Sequence, residues 1–330
     1  MKTSEKKLFS LVMALIIALS LSVVPFSASA AEDLGKVRVI VKNETFSTAD
    51  SAAWAGELLK TDISLDSDST MMTVIEDALK SNKIEYSFNN YNYLASINGL
   101  SEYAYKGSGG WMMTLNDWFT SEGSDAYSVE KGSLGDGDVI TVLYTCSWGA
   151  DVGSLWGDTS TTLNSLSVTG GLLDKAFDPS ITEYTLTVAP DNGNAVNIIP
   201  EAFNKNYQVK TYLNDYTPEK TGSEYKVLSK ALSVKNGDTV YIGVGNENWA
   251  SMNQKTTETV YQLHISYTPQ TGDVNLDGEV NINDVTILQK YLAAYYELSD
   301  DQKTAADVFG NGSLTIANAT AIQKIIARVA

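Results

Sequence analysis

Asp273-Val274-Asn275-Leu276-Asp277-Gly278-Glu279-Val280-Asn281-Ile282-Asn283-Asp284 is the stretch from which the rest of this chain is best read. Oxygen-bearing side chains stand at loop positions one, three, five, nine and twelve: Asp273, Asn275, Asp277, Asn281 and Asp284. Gly278 at position six allows a sharp bend, and position seven offers the Glu279 carbonyl. Ca2+ takes six to eight hard oxygen ligands, and this spacing wraps such a set around one ion. The competing reading is a polar turn that only caps the helix behind it.

The stretch returns at an offset of 34 residues, so that Asp273-Val274 recurs as Asp307-Val308, Gly278 as Gly312, Ile282 as Ile316 and Gln289-Lys290 as Gln323-Lys324. Two copies of one loop-helix unit are implied. The second loop is the poorer one: Phe309 takes position three, Asn311 five, Ser313 seven, and Asn318 stands at twelve, where a carboxylate normally closes the shell. Either Asp307, Asn311, Ser313 and Asn318 hold a second, weaker ion, or the loop keeps its shape through Phe309 packing and Asn311 hydrogen bonds. Ile287, Leu288 and Leu292, with Ile322, Ile325 and Ile326, recur at helical spacing and are expected to pack inside the module.

With its Gly272-Asp273-Val274-Asn275 opening, a helix from Ile282 to Tyr296, a linking helix near Leu298 to Ala306 and a terminal helix from Ile316, the segment 272–330 resembles a type I dockerin. The resemblance implies an all-α, duplicated calcium-loop fold. It also implies attachment to a cohesin domain of a scaffoldin in a cellulosome-like or amylosome-like extracellular complex. Carried onto this chain, the cohesin-binding positions are Ile282, Asn283, Gln289 and Lys290 in the first copy and Ile316, Ala317, Gln323 and Lys324 in the second. A merely solvated helix face is the alternative for the repeated Gln-Lys pairs.

Upstream, residues 163–268 alternate in the manner of strands, at Leu163 to Val168, Tyr184 to Val188, Val196 to Ile199, Thr239 to Val244 and Val260 to Ile265, with turn residues between them. An antiparallel β-sandwich is expected. Leu163-Asn164-Ser165-Leu166-Ser167-Val168, Phe177-Asp178-Pro179 and Asn236-Gly237-Asp238 make it similar to the bacterial cadherin-like (Ig-like) modules, which implies a spacer. A Gly-, Asp-, Ser- and Thr-rich linker is expected over residues 151–162.

Residues 34–150 read as a small α+β domain: a strand at Val37 to Val41, a helix from Ser69 or Thr70 carrying Met71, Val74, Ile75, Ala78 and Leu79 on one face, and a last strand from Val139 to Tyr144. The order of elements, the Gly110-Trp111 strand with Asn116, and the Gly137-Asp138 turn leading to Tyr144 resemble the domain of unknown function related to the C-terminal part of transcobalamin and intrinsic factor. In those carriers a helical barrel completes the cobalamin site, and no such helical domain is expected from this sequence. The fold class is therefore multidomain: α+β, then all-β, then all-α.

Lys2, Lys6 and Lys7, the apolar run Leu8 to Val24 and Ala28-Ser29-Ala30 read as an export signal over residues 1–30, or else as an anchor. Cleavage gives a secreted, extracellular protein, and its formal charge moves from −17 to −19. So acidic a chain is unsuited to nucleic acid. Cys146 is the single cysteine, so no intramolecular disulfide forms, and a packed thiol is the expectation. His264 is the single histidine, far in sequence from any paired nucleophile, and no catalytic site is expected.

Aromatic residues crowd the first domain. Trp111, Trp118, Tyr91, Tyr93, Tyr103, Tyr105 and Trp148 read either as core or as a ligand platform, a polysaccharide among the partners considered, with Trp111, Trp118, Tyr91 and Tyr93 as the candidate ligand residues; the alternation in Tyr91-Asn92-Tyr93 and Tyr103-Ala104-Tyr105 would put each pair on one strand face. The function expected is a non-catalytic accessory component that docks through calcium and presents a ligand or carbohydrate module. Capture of a corrinoid-like small molecule and glycan turnover are the two alternatives.

Overall fold

The computed structural model describes residues 33–91, 93–188, 195–220, 224–226, 230–253 and 257–329. The proposed export signal lies outside the described residues. No helix among them is long and apolar enough to cross a membrane.

The N-terminal part is built on strands β1 (Lys36–Asn43), β2 (Gly56–Ser64), helix α1 (Met71–Ser81), a small sheet of β3 (Tyr86–Phe88), β4 (Leu94–Ile97) and β5 (Leu100–Ser101), and then β6 (Gly110–Leu115), β7 (Trp118–Phe119) and β8 (Val139–Thr145). Its main sheet runs β2-β1-β8-β6-β7. β1 and β8 pair in parallel, which the long crossover through α1 permits. Val37, Val39 and Val41 alternate into the core while their neighbours face outward. Thr70, rather than Ser69, caps α1: its hydroxyl accepts from the Thr73 N–H and the Thr73 hydroxyl accepts from the Thr70 N–H.

Asn116 (φ 49°) and Asp117 (φ 70°) form the two-residue loop between β6 and β7, both in the left-handed region that such a tight hairpin requires. The Asn116 side chain then reaches back, donating to Asp138 Oδ1 (2.7 Å) and accepting from the Val139 N–H (2.9 Å).

The middle part has β9 (Leu163–Thr169), β10 (Gly171–Leu173), β11 (Glu183–Val188), β12 (Ala195–Ala202), β13 (Val209–Leu213), β14 (Leu232–Ser233), β15 (Thr239–Val244) and β16 (Thr259–Tyr267). They form two sheets, β10-β11-β16-β15-β13 and β14-β12-β9, around one core that includes Leu163, Tyr184, Val196, Ile198, Val240 and Leu263. The two sheets enclose their core as the alternation predicts. β10, β13 and β14 were not expected, and β11 pairs with β16 in parallel within an otherwise antiparallel arrangement.

The stretch expected to be a linker is a fastened joint. Asn204, fully buried, makes four hydrogen bonds: its amide donates to the Leu155 (2.8 Å) and Asp158 (3.0 Å) carbonyls, and its oxygen accepts from the Leu155 (3.3 Å) and Asn206 (3.0 Å) N–H groups. Asn253 donates to the same two carbonyls. The Lys205 N–H donates to Gly153, and the Phe119 N–H of β7 donates to the Lys205 carbonyl. Three ion pairs cross the same junction: Lys205 to Asp117 (2.7 Å), Lys226 to the buried Asp138 (2.7 Å), and Lys230 to Asp136.

The C-terminal part is α2 (Ile282–Leu292), α3 (Asp300–Ala306) and α4 (Ile316–Ala327) around Val274, Val285, Leu288, Leu298, Ala306, Ala319 and Ile322. All three helices start on the expected side of their loops, and α2 stops at Leu292 rather than running on to Tyr296.

Replacing Asn204 with Ala should take one donor from each of the Leu155 and Asp158 carbonyls, which Asn253 still reaches, leave the Leu155 and Asn206 N–H groups without this acceptor, and cost about 2 kcal/mol of stability. Urea denaturation of the full chain would show it. An unchanged transition would mean that the joint is not held this way.

Candidate metal centre and docking face

In the first loop, both oxygens of three carboxylates accept hydrogen bonds. Asp273 receives the Asp277 (3.1 Å) and Gly278 (2.9 Å) N–H groups, and Asp284 receives those of Asn275 (3.0 Å) and Asn281 (2.8 Å). Asp277 receives the Glu279 N–H (2.9 Å) and the Asn275 amide (2.7 Å). Leu276 (φ 58°) and Gly278 (φ 90°) supply the left-handed residues that turn these N–H groups inward. Asp273 is 1% exposed and Asp284 fully buried. Burial, together with the Asp284 and Asp277 charges, pushes the Asp273 carboxyl up to about 6, although the Gly278 N–H opposes the shift. Burial also raises Asp284.

Among the described residues no group of three or more His, Cys, Asp and Glu side chains is drawn together tightly enough to hold a metal by itself. The donor chemistry of the loop is broader than that set. It adds the Asn275 amide oxygen and the Glu279 carbonyl, both of which suit Ca2+. Buried acid groups that raise one another's pKa are also what a divalent cation would relieve. The donor set fits the ion on those two grounds. Asn281 is placed differently: its side chain caps α2 by accepting from the Asn283 N–H (2.9 Å).

The second loop keeps the frame and loses the charge. Asp307 Oδ2 accepts from the Gly312 N–H (2.6 Å), as Asp273 does from Gly278, while its buried Oδ1 has no hydrogen-bond partner. Asn318 Oδ1 accepts from the Thr315 N–H (2.9 Å), and its buried Nδ2 has none. Asn311 accepts from the Ser313 N–H (3.0 Å). Phe309 does not pack: it is 55% exposed.

All eight expected docking residues lie on the surface. Ile282 (59% exposed) and Ile316 (63%) stand with Asn283 and Ala317 at the starts of α2 and α4, and Gln289, Lys290, Gln323 and Lys324 are exposed further along. Of the six residues expected inside, Leu288 and Ile322 are in the core and Ile287 packs against it, while Ile325, Ile326 and Leu292 are exposed.

The proposed aromatic platform is corrected by burial. Trp111, 2% exposed, stacks on Trp54 (5.8 Å) and meets Tyr144 edge-on (5.2 Å), with its Nε1 donating to Leu100. The Tyr93 hydroxyl exchanges hydrogen bonds with the Trp111 backbone at 2.6 Å, and burial pushes it up to about 12. Trp118 is buried against Tyr127. Tyr91 alone is open to solvent, and Tyr103 and Tyr105 belong to a turn, not a strand. The exposed indoles are Trp148, which belongs to the same dense aromatic set, and Trp156, which does not; only packing distinguishes them from the buried ones.

A cleft of about 470 Å³ opens where the two β-rich parts meet. Trp118, Tyr127, Lys210, Glu224, Lys226 and Trp249 are among its walls.

The family model described as the dockerin type I domain matches residues 271–327, and that of a domain of unknown function (DUF4430) matches residues 68–145. The first supports a type I dockerin domain at this position, and such domains are generally calcium-binding. Neither match is to a family model described as catalytic. No curated protein matches the chain. Among solved structures, a protein from Ruminococcus gnavus ATCC 29149, provisionally described as metal binding, is 12% identical, with 34% of this chain and 96% of that one covered and a TM-score of 0.22.

Trp111→Ala should destabilise the protein by about 4 kcal/mol, whereas Tyr91→Ala should change stability by under about 0.5 kcal/mol. Thermal unfolding of the two variants separates a core residue from a surface one.

Proposed function

We propose that this is a secreted, non-catalytic component of a polysaccharide-degrading complex, attached to a scaffoldin cohesin through residues 272–330. The observation that carries the reading is the dockerin match over a duplicated loop-helix unit whose exposed residues recur in register. Asp273, Asn275, Asp277, Asp284 and the Glu279 carbonyl would hold Ca2+, with Asn281 shaping the start of α2. The ion's charge would neutralise the buried carboxylates and fix the loop against that helix. Asp307 and Asn311 offer a second, weaker position. Ile282, Asn283, Gln289 and Lys290 present one docking face and Ile316, Ala317, Gln323 and Lys324 the other, with the unequal loops favouring one orientation. The cadherin-like sandwich serves as the rigid mount for the N-terminal, ligand-bearing domain.

Calcium titration of the full chain should show one strong site that Asp273→Ala removes, while Asp307→Ala leaves it within about threefold. Pull-down on a panel of cohesins should fail in EDTA and with Asp273→Ala. Capture indifferent to both would refute the mechanism.

The cleft of about 470 Å³ favours a second reading for the N-terminal half, small-molecule capture, because clefts of this size at domain junctions suit such ligands. Corrinoids in solution should then raise the melting temperature of the full chain by several degrees.

A further inference from the structure

The end of β8 holds an arrangement that neither the fold nor docking explains. Trp148 has φ 53°, in the left-handed region that bulky residues avoid, and its side chain is 69% exposed. The conformation is imposed from several sides. Thr145 Oγ1 accepts from the Ser147 (3.1 Å) and Gly149 (2.8 Å) N–H groups and donates to Asp151, whose other oxygen accepts from the Cys146 N–H (2.7 Å). Gly149 follows at φ 92°, where a Cβ would lie 2.7 Å from the Met112 sulfur.

A second ring stands at the same end of the sheet. β6 and β8 pair Gly110 with Thr145, so the turn before β6 lies beside the turn after β8, and the Ser108 hydroxyl bridges them by donating to the Cys146 carbonyl (2.9 Å). In that turn Tyr103 has φ 62° and is 58% exposed, with its N–H donating to Gly109 (2.6 Å). Two bulky aromatic residues are thus held in disfavoured backbone conformations, and both present their rings to water. Strain of this kind persists only when the surroundings over-determine it, and it collects at binding sites.

We infer that Trp148 and Tyr103 form a stacking site for a neutral polysaccharide. Polar residues, Glu102, Lys106, Ser108 and Ser147, share the two turns with the rings, which suits a sugar better than the apolar core of a protein interface. A pyranose can lay its C–H face on such a ring while its hydroxyls meet polar side chains of the same turns. Flat rings also stack nucleobases, but a chain of formal charge −17 repels a phosphate backbone, and it repels uronate-rich glycans in the same way. The inference rests on the reading of the N-terminal domain as the ligand-bearing end and is independent of docking, which EDTA abolishes and this site survives.

The test is affinity electrophoresis of the full chain, in EDTA, through gels cast with soluble starch, xyloglucan or hydroxyethylcellulose, with polygalacturonate as the acidic comparison. Retardation is expected in at least one neutral gel. Trp148→Gly and Tyr103→Gly should each weaken it at least tenfold while the melting temperature holds or rises, because glycine accepts the left-handed backbone. Trp156→Ala should behave as the parent. Four results would overturn the site: no retardation in any neutral gel, retardation by polygalacturonate alone, parental affinity in Trp148→Gly, or a lowered melting temperature in that variant.

Discussion

Asn204 makes every hydrogen bond that a carboxamide can make, three of them to Leu155 and Asp158 in the joining segment and the fourth to its near neighbour Asn206. With one cysteine there is no disulfide to do this work. Buried amides and carboxylates take the place of covalent staples. Asp138, 1% exposed, shows the same device from the other side of the junction: it accepts from Asn116 and from the Gly135 N–H, and Lys226 pairs with it. An unpaired acid buried at that point would be costly, so the hairpin loop, the turn before β8 and the lysine constrain one another. The cleft between the two β-rich parts keeps its shape for this reason.

The C-terminal loops use the same chemistry for a different end. Asp273 and Asp284 organise the first loop by collecting N–H groups from its own backbone, so the turn is largely formed before any ion is considered. That arrangement concentrates negative charge in a buried place, which ordinary folding disfavours and cation binding reverses. The second loop shows what happens when the charge is removed and the frame kept. Asn318 still accepts from Thr315, as Asp284 does from Asn281, but its other end has become a donor with nothing to receive it. The two copies are therefore similar in outline and unequal in electrostatics.

Wherever a pattern is local, the residues themselves disclosed it. The twelve-residue spacing, the offset of 34, the strand at Val37 to Val41 and a helix start at Ser69 or Thr70 are all statements about neighbours in sequence, and each appears in the fold, the last resolved to Thr70. The aromatic side chains could not be sorted in this way. Trp111 and Trp148 lie on the strand β6 and just beyond its neighbour β8, in the same register of composition, yet one is enclosed by Trp54 and Tyr144 and the other faces water. Only the tertiary packing decides between them. β10 has only three residues, and of its two leucines Leu173 packs against the core while Leu172 is 76% exposed, too short a stretch for an alternation to show. The joint was read as a linker because Gly, Asp, Ser and Thr are what linkers contain, while the groups that fasten it, Asn204 and Asn253, lie roughly 50 to 100 residues away.

Fastening the joint changes what exposure means at its edge. On a loose linker, an indole open to water is an ordinary consequence of having nothing to pack against. Trp148 sits instead where Thr145, Asp151 and Gly149 leave the backbone no second choice, immediately before a segment tied to the sandwich by buried amides. Glycine at that position would relieve the backbone, and a polar side chain would relieve the exposure; tryptophan does neither. A residue that costs the folded state on both counts, in a position the surroundings hold rigid, is best accounted for by something outside the chain that the ring contacts.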